Sequence, residues 1–403
     1  MANASVMSST VFFTGHMIDR PGRLIPRFPT HVEPMVARRI SAELEAVGAT
    51  DGFASASAGG DILFLEAMIA RGGRAHITLP CAIDAFRRDC VDVAAGSDWG
   101  TRFEHLLTQA HCVEILGEQY ASDNAMASEC CNRVMIGLSR LCAHEKGETE
   151  PLVLTLWDGR PGDAYGGTQS AVAFCLRQGL PVRSLEDVLP PRPSASQHFG
   201  SIRPGTTSAI QHCNSVPEGQ QQICSAVFAD VVGFSRLKER QIPAFFDLYL
   251  QSVVQSLQSH RIVPLVKNTW GDGLYLAFES QRDAGVFALD FANRIATCDW
   301  GPLALDFVPS VRIGIHAGPL YRFYDPLIAQ WSYTGSHVTR AARLEPVGEP
   351  GKVIATQSFI ALAAAEGVQE FSGLPLGRRQ LHKAAGDTMV FELRWALTPK
   401  SCV

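Results

Sequence analysis

The stretch KNTWGDGLYLAF, residues 267 to 278, constrains this chain most, because its Asp-Gly pair closes a tight hairpin between two apolar, strand-like runs. Read with VFADVVGFS at 227 to 235, it carries one aspartate from each segment, Asp230 and Asp272, into a turn at the open end of a sheet. Two carboxylates so placed suit two divalent ions, Mg²⁺ or Mn²⁺. Mg²⁺ is commonly held by one or two carboxylates together with substrate phosphate oxygens, so the pair points to chemistry on a nucleoside triphosphate.

Composition narrows the setting. With 46% hydrophobic and 19% charged residues, the 403-residue chain can bury two or three ordinary cores. A formal charge of −5 and the lack of a long Lys/Arg block offer no field for nucleic acid, so no such partner is expected. The 11 cysteines contain no CxxC pair and fit neither a disulfide framework nor a zinc site; they read as reduced thiols of a cytoplasmic protein. No run approaches the roughly 20 apolar residues of a membrane helix, and no signal core opens the chain, so no membrane association is expected.

In the N-terminal half, strand candidates at 11–15, 52–57, 75–80, 112–116 and 152–157 alternate with helical patterns at 31–48, 61–72, 82–92, 102–110, 122–144 and 168–178. Such alternation predicts a parallel sheet wrapped by helices, with ligands bound beyond the carboxyl ends of the strands. Three loops fall at those ends: Gly15 with His16, the turn Ala58-Gly59-Gly60-Asp61, and Gly166-Gly167-Thr168. Glycines there let backbone N–H groups approach an anion beside a helix N-terminus; they equally serve tight strand-to-helix turns with no ligand. The order GFASASAGGDILFLEAMIARGGRAHITLP resembles the SLOG superfamily, a Rossmann-like group with nucleotide-sensing and cytokinin-activating members, over about residues 10 to 185. Its enzymatic branch carries a glutamate soon after a GGxGT turn, whereas GGTQSAV at 166 to 172 has none. The resemblance therefore implies a sensor of a small or nucleotide-like ligand, bound through Gly15, Gly59, Gly60, Asp61, Gly166, Gly167 and Thr168.

Between 186 and 222 the chain is rich in Pro, Ser, Gly and Gln with few apolar residues, which predicts a linker. The expected division is a Rossmann-like α/β sensor domain at 1–185, the linker at 186–222 and a second domain at 223–403.

Beyond the linker, a strand ending at Asp230 precedes a helix at 241–259, the hairpin, and a helix at 281–296. The strand SVRIGIHAG, a helix near 336–346 and two later strands complete an α+β pattern. The series FADVVGFS, KNTWGDGLYLAF, VRIGIHAGP and YTGSHVTRAARLEP resembles the class III nucleotidyl cyclase catalytic domain, over residues 223 to about 395. The resemblance makes Asp230 and Asp272 the metal ligands, and gives the main chain of Val231, Val232, Gly233 and Phe234 to the substrate triphosphate. Arg343 becomes the arginine that stabilises the transition state. Lys383 matches a triphosphate-binding lysine, while Asn268 and Ser332 fall at the two base-reading positions, where they fit neither the usual adenine nor the usual guanine pair. Thr339 replaces an asparagine, and it shares a helix face with Arg343 four residues on. Strand alternation sends Lys267 to the face opposite Asn268. His316 and His337 are expected to pack or hydrogen-bond, not to ligate metal.

The expected activity is conversion of a nucleoside triphosphate, ATP by default, to a 3′,5′-cyclic nucleotide and pyrophosphate, regulated by the N-terminal domain. A pyrimidine cyclase of anti-phage signalling and a catalytically degenerate nucleotide-binding module are the alternatives. The resemblance also implies a homodimer whose sites each combine aspartates of one chain with Arg343 of the other.

Overall fold

Apolar runs bounded by glycine and polar turns become a six-stranded, all-parallel sheet in the N-terminal half: β1 (Thr10–Gly15), β2 (Asp51–Ala54), β3 (Arg74–Leu79), β4 (Cys112–Ile115), β5 (Leu152–Leu156) and β6 (Val182–Ser184). The connecting helices are α1 (Glu33–Ala46), α2 (Gly60–Ala70), α3 (Ile83–Phe86), α4 (Trp99–Gln109), α5 (Ala125–Glu145) and α6 (Thr168–Arg177). The computed structural model describes residues 8–117, 125–160, 166–190, 219–381 and 387–396. Strand order is β4-β3-β2-β1-β5-β6, so the winding reverses between β1 and β5. Strands β2 and β5 are buried along their whole length, as a parallel sheet covered on both faces requires. The expected α/β architecture is present.

The second half is an α+β layer, also as expected. Its strands are β7 (Gln221–Val232), β8 (Val266–Trp270), β9 (Gly273–Phe278), β10 (Ser310–Asp325), β11 (Gln330–Thr334), β12 (Val353–Thr356), β13 (Phe371–Gln380) and β14 (Asp387–Trp395). The helices are α7 (Ile242–Ser259), α8 (Gln281–Thr297), α9 (Ser336–Leu344) and α10 (Gln357–Ala365). The sheet runs β13-β14-β12-β10-β7-β9-β8, with β11 paired to the far end of β10, and only β10 and β12 are parallel. Long central strands β7 and β10 pair from Ser310 opposite Val232 to Tyr321 opposite Gln221, which fixes every side chain near the end of β7 by register.

Two features depart from the sequence reading. Leu185, Val188 and Leu189 are buried in the N-terminal core, so the chain stays packed past 186; residues 191–218 lie outside the described residues and β7 begins at Gln221. The chain also divides into two compact units out of sequence order: Met1–Ala125 with Cys142–Gln220, and Met126–Leu141 with Gln221–Val403. Most of α5 thus belongs with the second unit. There Arg140 Nη1 donates to the Ala364 and Ala365 carbonyls at the C-terminal end of α10, at 3.1 and 2.9 Å. Gly137 permits the approach, since a Cβ there would stand 1.7 Å from the Ala361 oxygen.

Candidate active site

Asp272 sits in a two-residue hairpin loop, with Trp270 paired to Gly273 and Gly271 at φ +60°, the left-handed conformation that tight hairpins need. Strand β9 pairs with β7 through Leu274 opposite Ala229, which brings the loop to the end of β7 that carries Asp230. The two aspartates are neighbours: burial raises the Asp272 pKa, and the charge of Asp230 and a hydrogen bond shared with it raise it further. Past Asp230, the chain turns at Gly233, whose φ is +88° and whose Cβ would stand 3.0 Å from the Phe307 ring. Val231 is buried, Val232, Gly233 and Phe234 are half-buried, and the Phe234 ring lies edge-on to Phe245 and Phe246.

The sequence reading missed two charged groups here. Arg312, directly opposite Asp230 in the β7–β10 register, donates from Nη2 to Asp230 Oδ2 at 3.0 Å and from Nε to Glu345 Oε1 at 2.9 Å. Glu345 reaches that position because Gly314 of β10 is bare: a Cβ there would be 2.6 Å from the Glu345 nitrogen. Burial raises the Glu345 pKa, Arg312 opposes that, and both aspartates add to it. The VRIGIHAGP motif contained Arg312 and Gly314, but nothing in its spacing announced their partners.

Three carboxylates against one guanidinium leave the site short of positive charge, a donor set that fits divalent cations. Among the described residues, no group of three or more His, Cys, Asp or Glu is placed so that it could hold one metal ion. Asp230 and Asp272 therefore fit the pattern of two protein carboxylates completed by substrate oxygens and water.

A cleft of about 320 Å³ opens beside the edge strand β8, lined by Leu265, Val266, Lys267, Asn268, Ile328, Gln330, Trp331 and Ser332. Asn268 and Ser332 thus share one cavity. Lys267 lines it too, against the expectation from strand alternation, because β8 is the sheet edge and the wall includes its unpaired side. Tyr275 of β9 donates to the Tyr333 carbonyl at 3.0 Å, holding β11 beside this edge.

On α9, His337, Ala341 and Leu344 face inward, Thr339 is exposed and Arg343 is half-buried. Thr339 Oγ1 lies 3.4 Å from the Gly335 carbonyl, one turn back. Among the described residues Arg343 forms no hydrogen bond or ion pair, with Asp230 and Asp272 or with any other group. His316 and His337 bond each other, Nε2 to Nδ1 at 2.6 Å, and His316 also meets Thr356 Oγ1 at 2.7 Å. Burial holds both imidazoles neutral, with His337 lowered to about 3. Lys383 lies outside the described residues.

In the first unit, the glycine turn is occupied by its own fold. Gly60 N–H donates to the His16 carbonyl at 3.1 Å, Ile18 N–H donates to the Ala58 carbonyl at 2.9 Å, and a Gly59 Cβ would stand 2.5 Å from the Ile18 nitrogen. The Gly60 amide expected to face an anion is therefore spent inside the protein. Gly15 ends β1 against the Phe13 ring, and Asp61, at the start of α2, accepts from Ser55 Oγ and from Ser57 N at 3.2 Å. Burial pushes the Asp61 carboxyl up to about 6. Gly166 is buried with φ +82°, and exposed Gly167 precedes Thr168, the first residue of α6. His16, beyond β1, lies 3.2 Å from Asp158, beyond β5, at the reversal of strand order.

Residues 216–382 match the family described as the adenylate and guanylate cyclase catalytic domain. An adenylate cyclase of Neurospora crassa is 26% identical over 161 residues, 36% of this chain but only 7% of that protein's length. The guanylate cyclase domain of RhGC from Catenaria anguillulae, solved with GTP, matches at 18% identity and TM-score 0.38, over 44% of this chain and 98% of that one. The adenylyl cyclase CyaB from P. aeruginosa matches at 14% identity and TM-score 0.39, over 45% of this chain and 98% of that one. Among the described residues no helix is long and apolar enough to cross a membrane. Over residues 216–382, the chain carries an adenylate and guanylate cyclase catalytic domain.

Proposed function

We propose that this chain is a nucleotidyl cyclase that closes a nucleoside triphosphate to its 3′,5′-cyclic nucleotide and releases pyrophosphate. The observation that carries the reading is the adjacency of Asp230 and Asp272 beside the Gly233 turn, in a site short of positive charge. Divalent ions held by the two aspartates would lower the pKa of the ribose 3′-hydroxyl and neutralise the leaving pyrophosphate. Arg312 orients Asp230 through a charge-assisted bond. The main chain of Val231 to Phe234 receives the triphosphate, and Arg343 offers fixed donors to charge developing on the α-phosphate. Thr339 supplies one hydrogen bond where an amide would supply more.

Arg343 has no partner in its own chain among the described residues, which favours a homodimer in which each site borrows Arg343 from the second copy. Base choice rests on Asn268 and Ser332, which line one cleft. ATP is the default. A pyrimidine triphosphate is the second reading, favoured because a carboxamide and a hydroxyl each donate and accept and so admit several base edges. We read the first unit as a regulator. In support, its parallel sheet reverses strand order between β1 and β5, the kind of place where open parallel sheets bind ligands.

Purified protein incubated with Mn²⁺ and each of ATP, GTP, CTP and UTP should yield a cyclic nucleotide identifiable by mass. Asp230→Ala and Asp272→Ala should each retain no more than a few per cent of turnover at saturating Mn²⁺ while staying folded. Absence of any cyclic product, or full turnover in either variant, sinks the reading.

A further inference from the structure

Tyr249 lies on α7, wholly buried, with its ring stacked on Phe245 at 6.0 Å between centroids and edge-on to Phe291 at 5.7 Å. The apolar periodicity of α7 accounts for a ring at this position but not for a hydroxyl. A buried phenol needs a partner, and this one donates to the Asp272 main-chain carbonyl at 3.1 Å. Burial, then the charges of Asp272 and Asp230, push its pKa well up, so it stays a neutral donor.

The bond falls at a particular place. Asp272 stands in a two-residue loop whose other member, Gly271, is exposed and has no atom within 4 Å of a Cβ position, so nothing on that side restrains the loop. The ring of Tyr249 is clamped by Phe245, Phe246 and Phe291, which fixes where its oxygen points. A rigid core group thus grips the backbone of the one loop residue whose carboxylate must stay beside Asp230. We propose that Tyr249 is a positioning residue that holds the Asp272 loop in the geometry for binding a divalent cation. The proposal rests on the reading of Asp230 and Asp272 as metal ligands.

The test uses the full chain and Mn²⁺, with free ion counted by electron paramagnetic resonance in the presence of a non-cyclising triphosphate analogue. Tyr249→Phe keeps the ring and removes only the hydroxyl. It should weaken Mn²⁺ binding roughly two- to tenfold, the range expected for one hydrogen bond, and raise the Mn²⁺ concentration needed for half-maximal turnover by a similar factor. Phe287→Leu disturbs the same aromatic cluster one ring further out, where Phe287 stacks on Phe291, and should leave Mn²⁺ affinity unchanged even where it lowers the melting temperature. Unchanged affinity in Tyr249→Phe, with binding abolished in Asp272→Ala, overturns the positioning role and leaves the cyclase reading standing. Equal losses in Tyr249→Phe and Phe287→Leu also overturn it, since packing then explains both. Unchanged Mn²⁺ binding in Asp272→Ala removes the metal assignment itself.

Discussion

Gly314→Ala tests whether the corner after α9 is seated by close backbone approach. In the native chain a Cβ at 314 would meet the Glu345 nitrogen at 2.6 Å and its Cα at 2.8 Å. These are backbone atoms and cannot rotate away, so reaching an ordinary contact of 3.4 Å requires the corner to retreat by roughly 0.8 Å. Overpacking of this kind costs about 1 to 3 kcal/mol. The retreat would carry Glu345, which shares Arg312 with Asp230, and Arg343 two residues before it. A misplacement of about 1 Å is worth up to about a hundredfold in rate, so turnover should fall between tenfold and a hundredfold. Gly351→Ala is the control. Gly351 has φ +78° and nothing within 4 Å of its Cβ position, so alanine there costs about 1 to 2 kcal/mol of backbone strain and displaces no neighbour. Urea midpoints and cyclic-nucleotide turnover at saturating Mn²⁺ separate the two. Both variants should lose comparable stability, and only Gly314→Ala should lose turnover. If Gly314→Ala keeps turnover within twofold of Gly351→Ala, the seating argument is wrong.

Asp230→Ala and Arg343→Ala chains should each be nearly inactive alone, while an equal mixture with subunit exchange confirmed by native mass spectrometry should recover about a quarter of wild-type sites. Confirmed heterodimers without activity would refute the composite site. Asn268→Lys should shift kcat/KM towards ATP across the four triphosphates, and an unchanged ratio would show that residue 268 does not face the base. Because Asp272 has a raised pKa, Mn²⁺ binding should fall off with acid at a higher pH than the ordinary aspartate range near 3.9; a midpoint at or below that value contradicts the raised pKa. Asp61, pushed up to about 6, should stabilise the first unit fully below about pH 4 and lose that contribution as pH rises through 6. The change is about 3 kcal/mol, and Asp61→Asn should abolish this part of the pH dependence in urea unfolding followed by hydrogen exchange of β2.

Local chemistry was legible in the sequence. The hairpin that carries Asp272, the apolar runs of β1, β3, β5 and β9, and the helical patterns of α7 and α8 follow from side-chain period and turn residues, which act over a few positions, although the two loop residues are Gly271 and Asp272 and not the Asp272-Gly273 pair. So did the two aspartates, because each sits where a strand-like run ends. Lysine 267 at the cleft, β6, β11 and α10 were not, since edge position, short length and small residues leave no distinct period. What only the tertiary structure decided are the partnerships made across the sheet and between layers. Register set Arg312 against Asp230, a bare Gly314 admitted Glu345, and the burial of α7 aimed the Tyr249 hydroxyl at the Asp272 carbonyl. Most of α5 joined the catalytic unit although more than 70 residues separate it from β7, because Gly137 and Arg140 find the end of α10 in space and nothing near them in the chain encodes that meeting.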